Sequence, residues 1–62
     1  LMSSSREVIE KIEQGEWYLV RVVGSHHHFK HPTRKGKVTV PHPKKDLPRG
    51  TERSMLKQGG LL

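Results

Sequence analysis

Trp17-Tyr18-Leu19-Val20-Arg21-Val22-Val23-Gly24-Ser25-His26-His27-His28-Phe29-Lys30-His31 is the stretch whose reading decides the fold. Its first seven residues are mostly aromatic or β-branched, a composition that suits a pleated surface better than a helix. Strict alternation puts Tyr18, Val20 and Val22 on one face and Trp17, Leu19, Arg21 and Val23 on the other. Gly24-Ser25 supplies the reversal, because glycine reaches the positive φ that tight hairpins require. His26 to His31 is then a second strand, with His27, Phe29 and His31 on one face and His26, His28 and Lys30 on the opposite one. If Phe29 enters the core, His26, His28 and Lys30 look outward together.

Working outward, Pro32-Thr33-Arg34-Lys35-Gly36 reads as a basic, turn-rich connection, and Lys37 to Val40 as a short third strand with Val38 and Val40 on one face. Two hairpins in series make an antiparallel meander. On the N-terminal side Ser3, Ser4 and Ser5 offer helix caps, and Ser4 with Glu7 forms a Ser-x-x-Glu capping box, each side chain satisfying the other's free backbone amide. Val8, Ile9 and Ile12 share a face of that helix, and Gly15 is its expected stop. Leu1, ahead of Met2, reads as a cloning remnant and carries no weight. On the C-terminal side three prolines make Pro41 to Pro48 irregular. A last helix runs from about Arg49 to Gln58, with Met55 and Leu56 as its apolar contacts, Lys57 at the negative end of its dipole and Gly59-Gly60 as its stop. The chain is therefore a single α+β domain over residues 1–62, ordered helix, three strands, helix. Two helices on one face leave the other face of the sheet available for a ligand.

Size and charge narrow the function. A chain of 62 residues buries only about 60% of its unfolded surface, so its core is thin and a deep substrate cavity is not expected. Without cysteine, disulfides and thiolate metal sites are excluded, in keeping with a reducing compartment. No apolar run reaches the ~18 residues of a membrane span and no charged-then-apolar leader opens the sequence, so the expected location is the cytoplasm. Phosphate-cradling GxxxxGK loops, HExxH and Gly-x-Ser-x-Gly elbows are all absent, as are internal repeats. The net charge of +6 is unevenly placed. Residues 1–20 hold Arg6 and Lys11 against four glutamates, a balance of -2, whereas residues 21–62 hold ten Lys and Arg against Asp46 and Glu52, a balance of +8. That asymmetry is the footprint of a surface that meets polyanions, although lysines also serve solubility alone.

Four of the five histidines lie between positions 26 and 31, and three uses compete for them. As metal ligands they are poorly arranged, since neighbouring strand residues point apart and the acids downstream are few; no physiological metal is expected. As half-buried aromatic filler, His27 and His31 fit the Phe29 side. As proton-transfer groups beside cations such as Lys30, they suit RNA cleavage. A base takes the ribose 2′-hydroxyl proton, the oxygen attacks phosphorus, and the cations stabilise the growing charge. A lysine neighbour also tends to lower a histidine's pKa. Composition leaves these uses open.

Three blocks taken together are more specific: Gly24-Ser25-His26-His27-x-Phe29-x-His31-Pro32; Val38-Thr39-Val40-Pro41-His42-Pro43; and Pro48-x-Gly50-Thr51-x-x-Ser54-x-Leu56-Lys57-Gln58-x-Gly60-Leu61. Over nearly its whole length the chain resembles the HicA toxin family. The resemblance implies a bacterial type II toxin with the double-stranded-RNA-binding-like α-β-β-β-α fold, acting as an mRNA interferase and neutralised by a HicB antitoxin, with no cofactor. The family's catalytic histidine maps onto His26 and the glycine of its turn onto Gly24, next to Ser25; His27 is the neighbouring candidate and His28 a third. Two departures stand out: the family usually has glycine directly before Trp17, where this chain has Glu16, and commonly alanine where it has Gly59.

The resulting expectation is a metal-independent endoribonuclease acting on mRNA, with His26 transferring the proton and His28, Lys30, Lys37, Lys44 and Lys45 contacting RNA. The lysines rest on charge and face alone. The rival is a non-catalytic RNA-binding module, holding duplex RNA by phosphate and 2′-hydroxyl contacts. A chain that serves mainly to pair with its antitoxin is a third reading. An acidic antitoxin is expected to cover the His26 region.

Overall fold

The computed structural model describes residues 3–62, so the reading of Leu1 lies outside the described residues. The elements are α1 (Ser5–Gln14), β1 (Tyr18–Val23), β2 (His26–Lys30), β3 (Val38–Pro41) and α2 (Arg49–Gln58). The order is the expected one, and the three strands form one antiparallel sheet in the sequence β1-β2-β3. Among the described residues, no helix is long and apolar enough to cross a membrane.

Helix α1 begins at the predicted capping box. The Ser4 hydroxyl accepts the Glu7 amide at 3.2 Å and the Glu7 carboxylate accepts the Ser4 amide at 2.8 Å. Its apolar stripe buries Val8 and Ile12 completely and packs Ile9 against the same cluster. From α2 come Met55 and Leu56, and from the sheet Phe29, Val38 and Val40. Because Phe29 and Val38 are cross-strand partners and share a face with Val40, both helices lie on one side of the sheet. Ser3, just ahead of α1, donates to Glu52 at 2.7 Å, and Lys11 in the last turn of α1 pairs with the same carboxylate at 3.4 Å, tying both ends of α1 to the first turn of α2. Of the segment expected to be irregular, Pro41 is instead the last residue of β3, paired with His26, because its missing N–H is tolerated at the end of an edge strand; the rest is irregular but anchored. Leu47 donates its amide to the Ser3 carbonyl at 2.7 Å and buries its side chain in the core.

The first strand departs from strict alternation. Trp17 stands just outside β1, buried, with its indole N–H donating to the Gly59 carbonyl at 3.0 Å. Within β1 the register shifts: Leu19 faces Phe29, but Arg21 faces His28, so Val20 is an extra residue in a β-bulge. Leu19 and Arg21, expected on one face, are therefore on opposite faces. The bulge reverses parity, and Leu19 and Val22 fall on the Phe29 side while Arg21 and Val23 join His28 and His26. The helices pack on each other and on β3, leaving β1 as an edge strand whose Tyr18, Leu19, Val20, Val22 and Val23 are each 46–50% exposed.

The helix ends also differ from a simple glycine stop. Gly15 caps α1 with an ordinary φ of -85°, and it is Glu16 that turns into the left-handed region at φ 74°. A glycine at position 15 serves closeness instead, because a Cβ there would sit 3.0 Å from the Leu61 side chain. At the other end Gly60, at φ 73°, closes a Schellman motif: Leu61 donates to Leu56 at 2.8 Å and Gly60 to Lys57 at 3.0 Å. Two substitutions should move stability in opposite directions in urea titrations. Glu16→Gly should raise it by about 0.5–1 kcal/mol, by relieving the left-handed penalty that a side chain incurs. Gly60→Ala should lower it by more than about 1 kcal/mol for the same reason, since a Cβ would also run into the Arg34 guanidinium.

Candidate active site

The hairpin that joins β1 to β2 has only Gly24 and Ser25 between the paired residues Val23 and His26. Gly24 takes φ 59° at the first turn position, the place where a two-residue type II′ turn demands glycine. The turn is fixed from the far side by the Ser25 carbonyl, which accepts the His42 amide at 2.8 Å. His26 is thus the first residue of β2, between Val23 on one neighbour and Pro41 on the other, and its ring is exposed.

Two residues on, and on the same face, His28 lies between Arg21 and Thr39. Its Nδ1 is 3.1 Å from the Thr39 hydroxyl. The side chain is half-buried in a shallow cavity of about 200 Å³ lined by Val20, Arg21, His28, Lys30 and Lys37. Partial burial first, then the charges of Lys37 and Arg21 and the neighbouring His26 and His27, hold His28 below the usual imidazole range. None of the three strands contains an acidic residue, so the face combines two imidazoles with three cations and no counter-charge of its own. Arg21 is the member that sequence reading missed. Strict alternation set it on the Leu19 side, and only the unforeseen bulge aligns it with His28.

The predicted phosphate-contact residues divide into two groups. His28, Lys30 and Lys37 come together on the open sheet face. Lys44 and Lys45 instead line a separate cavity of about 450 Å³ at the start of α1, with Ser4, Ser5, Arg6, His42 and Pro43. There the Ser5 hydroxyl accepts the Lys44 amide at 2.8 Å and pairs with His42 Nδ1 at 2.7 Å. His42 meets His27 edge-on, with ring centroids 4.9 Å apart. His27 is on the Phe29 side, as expected of a packing residue. His31 is a bracket: its Nδ1 accepts the amides of Thr33 at 3.1 Å and Arg34 at 3.0 Å, so Nε2–H donates to the Gly15 carbonyl at 3.0 Å. The ring also packs 5.2 Å from that of Trp17.

A family model described as the HicA toxin of bacterial toxin-antitoxin covers residues 5–61. No curated protein matches the chain.

The electrostatics of the open face can be read by NMR titration. His28 should titrate below the ordinary histidine value. Lys37→Gln and Arg21→Gln should each raise its midpoint, because removing a neighbouring positive charge favours the imidazolium. An unmoved midpoint in both variants would contradict the charge placement described.

Proposed function

We propose that this chain, which belongs to the HicA toxin family of bacterial toxin-antitoxin systems, is an endoribonuclease that cleaves mRNA without a metal, and that His26 transfers a proton in the reaction. The toxin role and the existence of a cognate antitoxin follow from family membership. The single observation that carries the chemical reading is the acid-free sheet face that an exposed His26 shares with His28, Arg21, Lys30 and Lys37.

A polynucleotide laid on that face meets cations where phosphates lie and an imidazole where a ribose hydroxyl must lose its proton. Charge developing on the non-bridging phosphoryl oxygens would be met by Arg21, Lys30 and Lys37. Gly24 and Ser25 act as support, the two-residue turn holding His26 at the rim. Lys44, Lys45 and Arg6, around the second cavity, would take phosphates further along the strand. A HicB-like antitoxin with acidic residues at its contact would gain attraction from the same charges while covering His26. The exposed apolar side chains of β1, alongside, give such a contact a water-excluding part. A complex in which His26 stays open to solvent would replace occlusion with inhibition at a distance.

The experiment is cleavage of RNA in the presence of chelator by the parent chain and by His26→Ala. The parent should cut and leave 2′,3′-cyclic phosphate ends; the variant should be folded, bind RNA and cut at least 100-fold more slowly. Cleavage by the variant at the parental rate would remove the role of His26. A parent that binds but never cuts would make this an RNA-binding module. On single-stranded RNA, Lys30→Gln and Lys37→Gln should each reduce the slope of log affinity against log salt by about 0.7. An unchanged slope would take that lysine off the phosphate path.

A further inference from the structure

Cleavage by a ribose hydroxyl moves two protons, one off the 2′-oxygen and one onto the 5′-oxygen that leaves, and a single exposed imidazole accounts for one of them at a time. We propose that His28 is a second catalytic residue, the base that takes the 2′-hydroxyl proton, while His26 gives a proton to the departing 5′-oxygen. This rests on the ribonuclease reading of the open face.

Three features of the fold place His28 in that role. First, it shares a face with His26 at a separation of two strand residues, about 6.6 Å along β2. Two imidazoles at that spacing, each reaching about 2.8 Å to an oxygen, bracket one phosphodiester. Second, the ring is oriented by another group. Nδ1 lies 3.1 Å from the Thr39 hydroxyl; in the tautomer that donates Nδ1–H to it, Nε2 is the nitrogen left for substrate, the arrangement in which a base is held by a third residue. Third, His28 and not His26 lines the cavity with Arg21, Lys30 and Lys37, where a phosphoryl group would be seated. His26 stands at the exposed hairpin rim, beside the turn, where a leaving strand departs into solvent.

The charged and titratable groups around His28 come from every neighbouring element: Arg21 on β1, His26, His27 and Lys30 on β2, and Lys37 just ahead of β3, with the neutral Thr39 opposite. Partial burial, Lys37, Arg21, His26 and His27 favour the neutral imidazole, which is the form a base requires. The step balances. His28 Nε2 takes the 2′-hydroxyl proton, the 2′-oxygen bonds to phosphorus, the bond from phosphorus to the 5′-oxygen breaks, and the His26 imidazolium protonates that oxygen. The products are a 2′,3′-cyclic phosphate and a 5′-hydroxyl, and exchange with solvent restores both rings.

The test compares His28→Gln, His28→Asn and His26→Gln on two substrates of one sequence: RNA, and the same RNA with sulfur replacing the bridging 5′-oxygen, whose thiolate leaves without a proton. Both His28 variants should lose 10²–10⁴-fold in kcat on both substrates with KM changed less than threefold, and the acidic limb of the kcat/KM profile should disappear. His26→Gln should be slow on RNA but within tenfold of the parent on the sulfur substrate. Circular dichroism checks that each variant is folded, and Asn keeps a polar group near Thr39 should Gln disturb the pairing. A His28 variant within threefold of the parent in kcat, or one that changes KM alone, would overturn the assignment and leave His26 untouched. A parent inactive on RNA would overturn the ribonuclease reading and the His28 assignment with it.

Discussion

Burial of the Phe29 ring beneath the two helices sets the direction of every other side chain on β2. A strand has a side-chain period of two, so a one-residue slip would exchange the faces completely. With Phe29 1% exposed, and Val38 opposite it buried as well, His27 must turn toward the helices and His26, His28 and Lys30 must turn away. The same constraint separates the five histidines into two populations. His27, His31 and His42 pack against rings, the Ser5 hydroxyl and backbone. His26 and His28 stand on the uncovered face, where bulk water and charge reach them. Aromatic packing in the core is thus what presents the candidate chemistry outside it.

Much of this arrangement was legible in residue order. The capping box, the two-residue glycine turn, the faces of β2 and the extents of both helices follow from short-range rules that no distant contact overrides here. The side of the sheet on which Arg21 falls was not legible. A bulge depends on how two strands settle against each other, and Tyr18 to Val23 carries no glycine or proline to mark the extra residue. Leu47 was missed for a related reason: the prolines argue against a ladder, yet Pro41 still closes β3 opposite His26, and one amide bond to Ser3 is enough to turn a leucine inward. At the first helix stop the expected glycine is present, but the left-handed conformation falls on Glu16, because the path from α1 into Trp17 is fixed by the burial of that indole and its bond to Gly59.

The site was legible in part, and the division is informative. Charge and face named Lys30, Lys37, Lys44 and Lys45 as phosphate contacts, and Lys30 and Lys37 lie in the cavity beside His28. Lys44 and Lys45 are equally basic, but they follow β3 and are tied to α1 through the Ser5 hydroxyl and the Lys44 backbone, so they line a different cavity. A positive balance in one half of a sequence therefore marks a surface and not a single pocket.

The bulge in β1 bears both on the proposed chemistry and on the open edge of the sheet. An exposed, flat, apolar edge invites pairing with another strand, and proteins usually blunt it with inward charges, prolines or a twist. Here five large side chains on the edge strand are about half exposed, and acidic residues that would repel a second copy are missing from the sheet. Acids on this face would also repel the phosphates that its cations attract, so that form of protection conflicts with the proposed chemistry. A bulge carries no charge. It interrupts the ladder, twists the edge and, by adding one residue, moves Arg21 to the side of His28. One local irregularity thus supplies the third cation of the cavity and interrupts an edge that a face proposed to bind polyanions cannot protect with carboxylates.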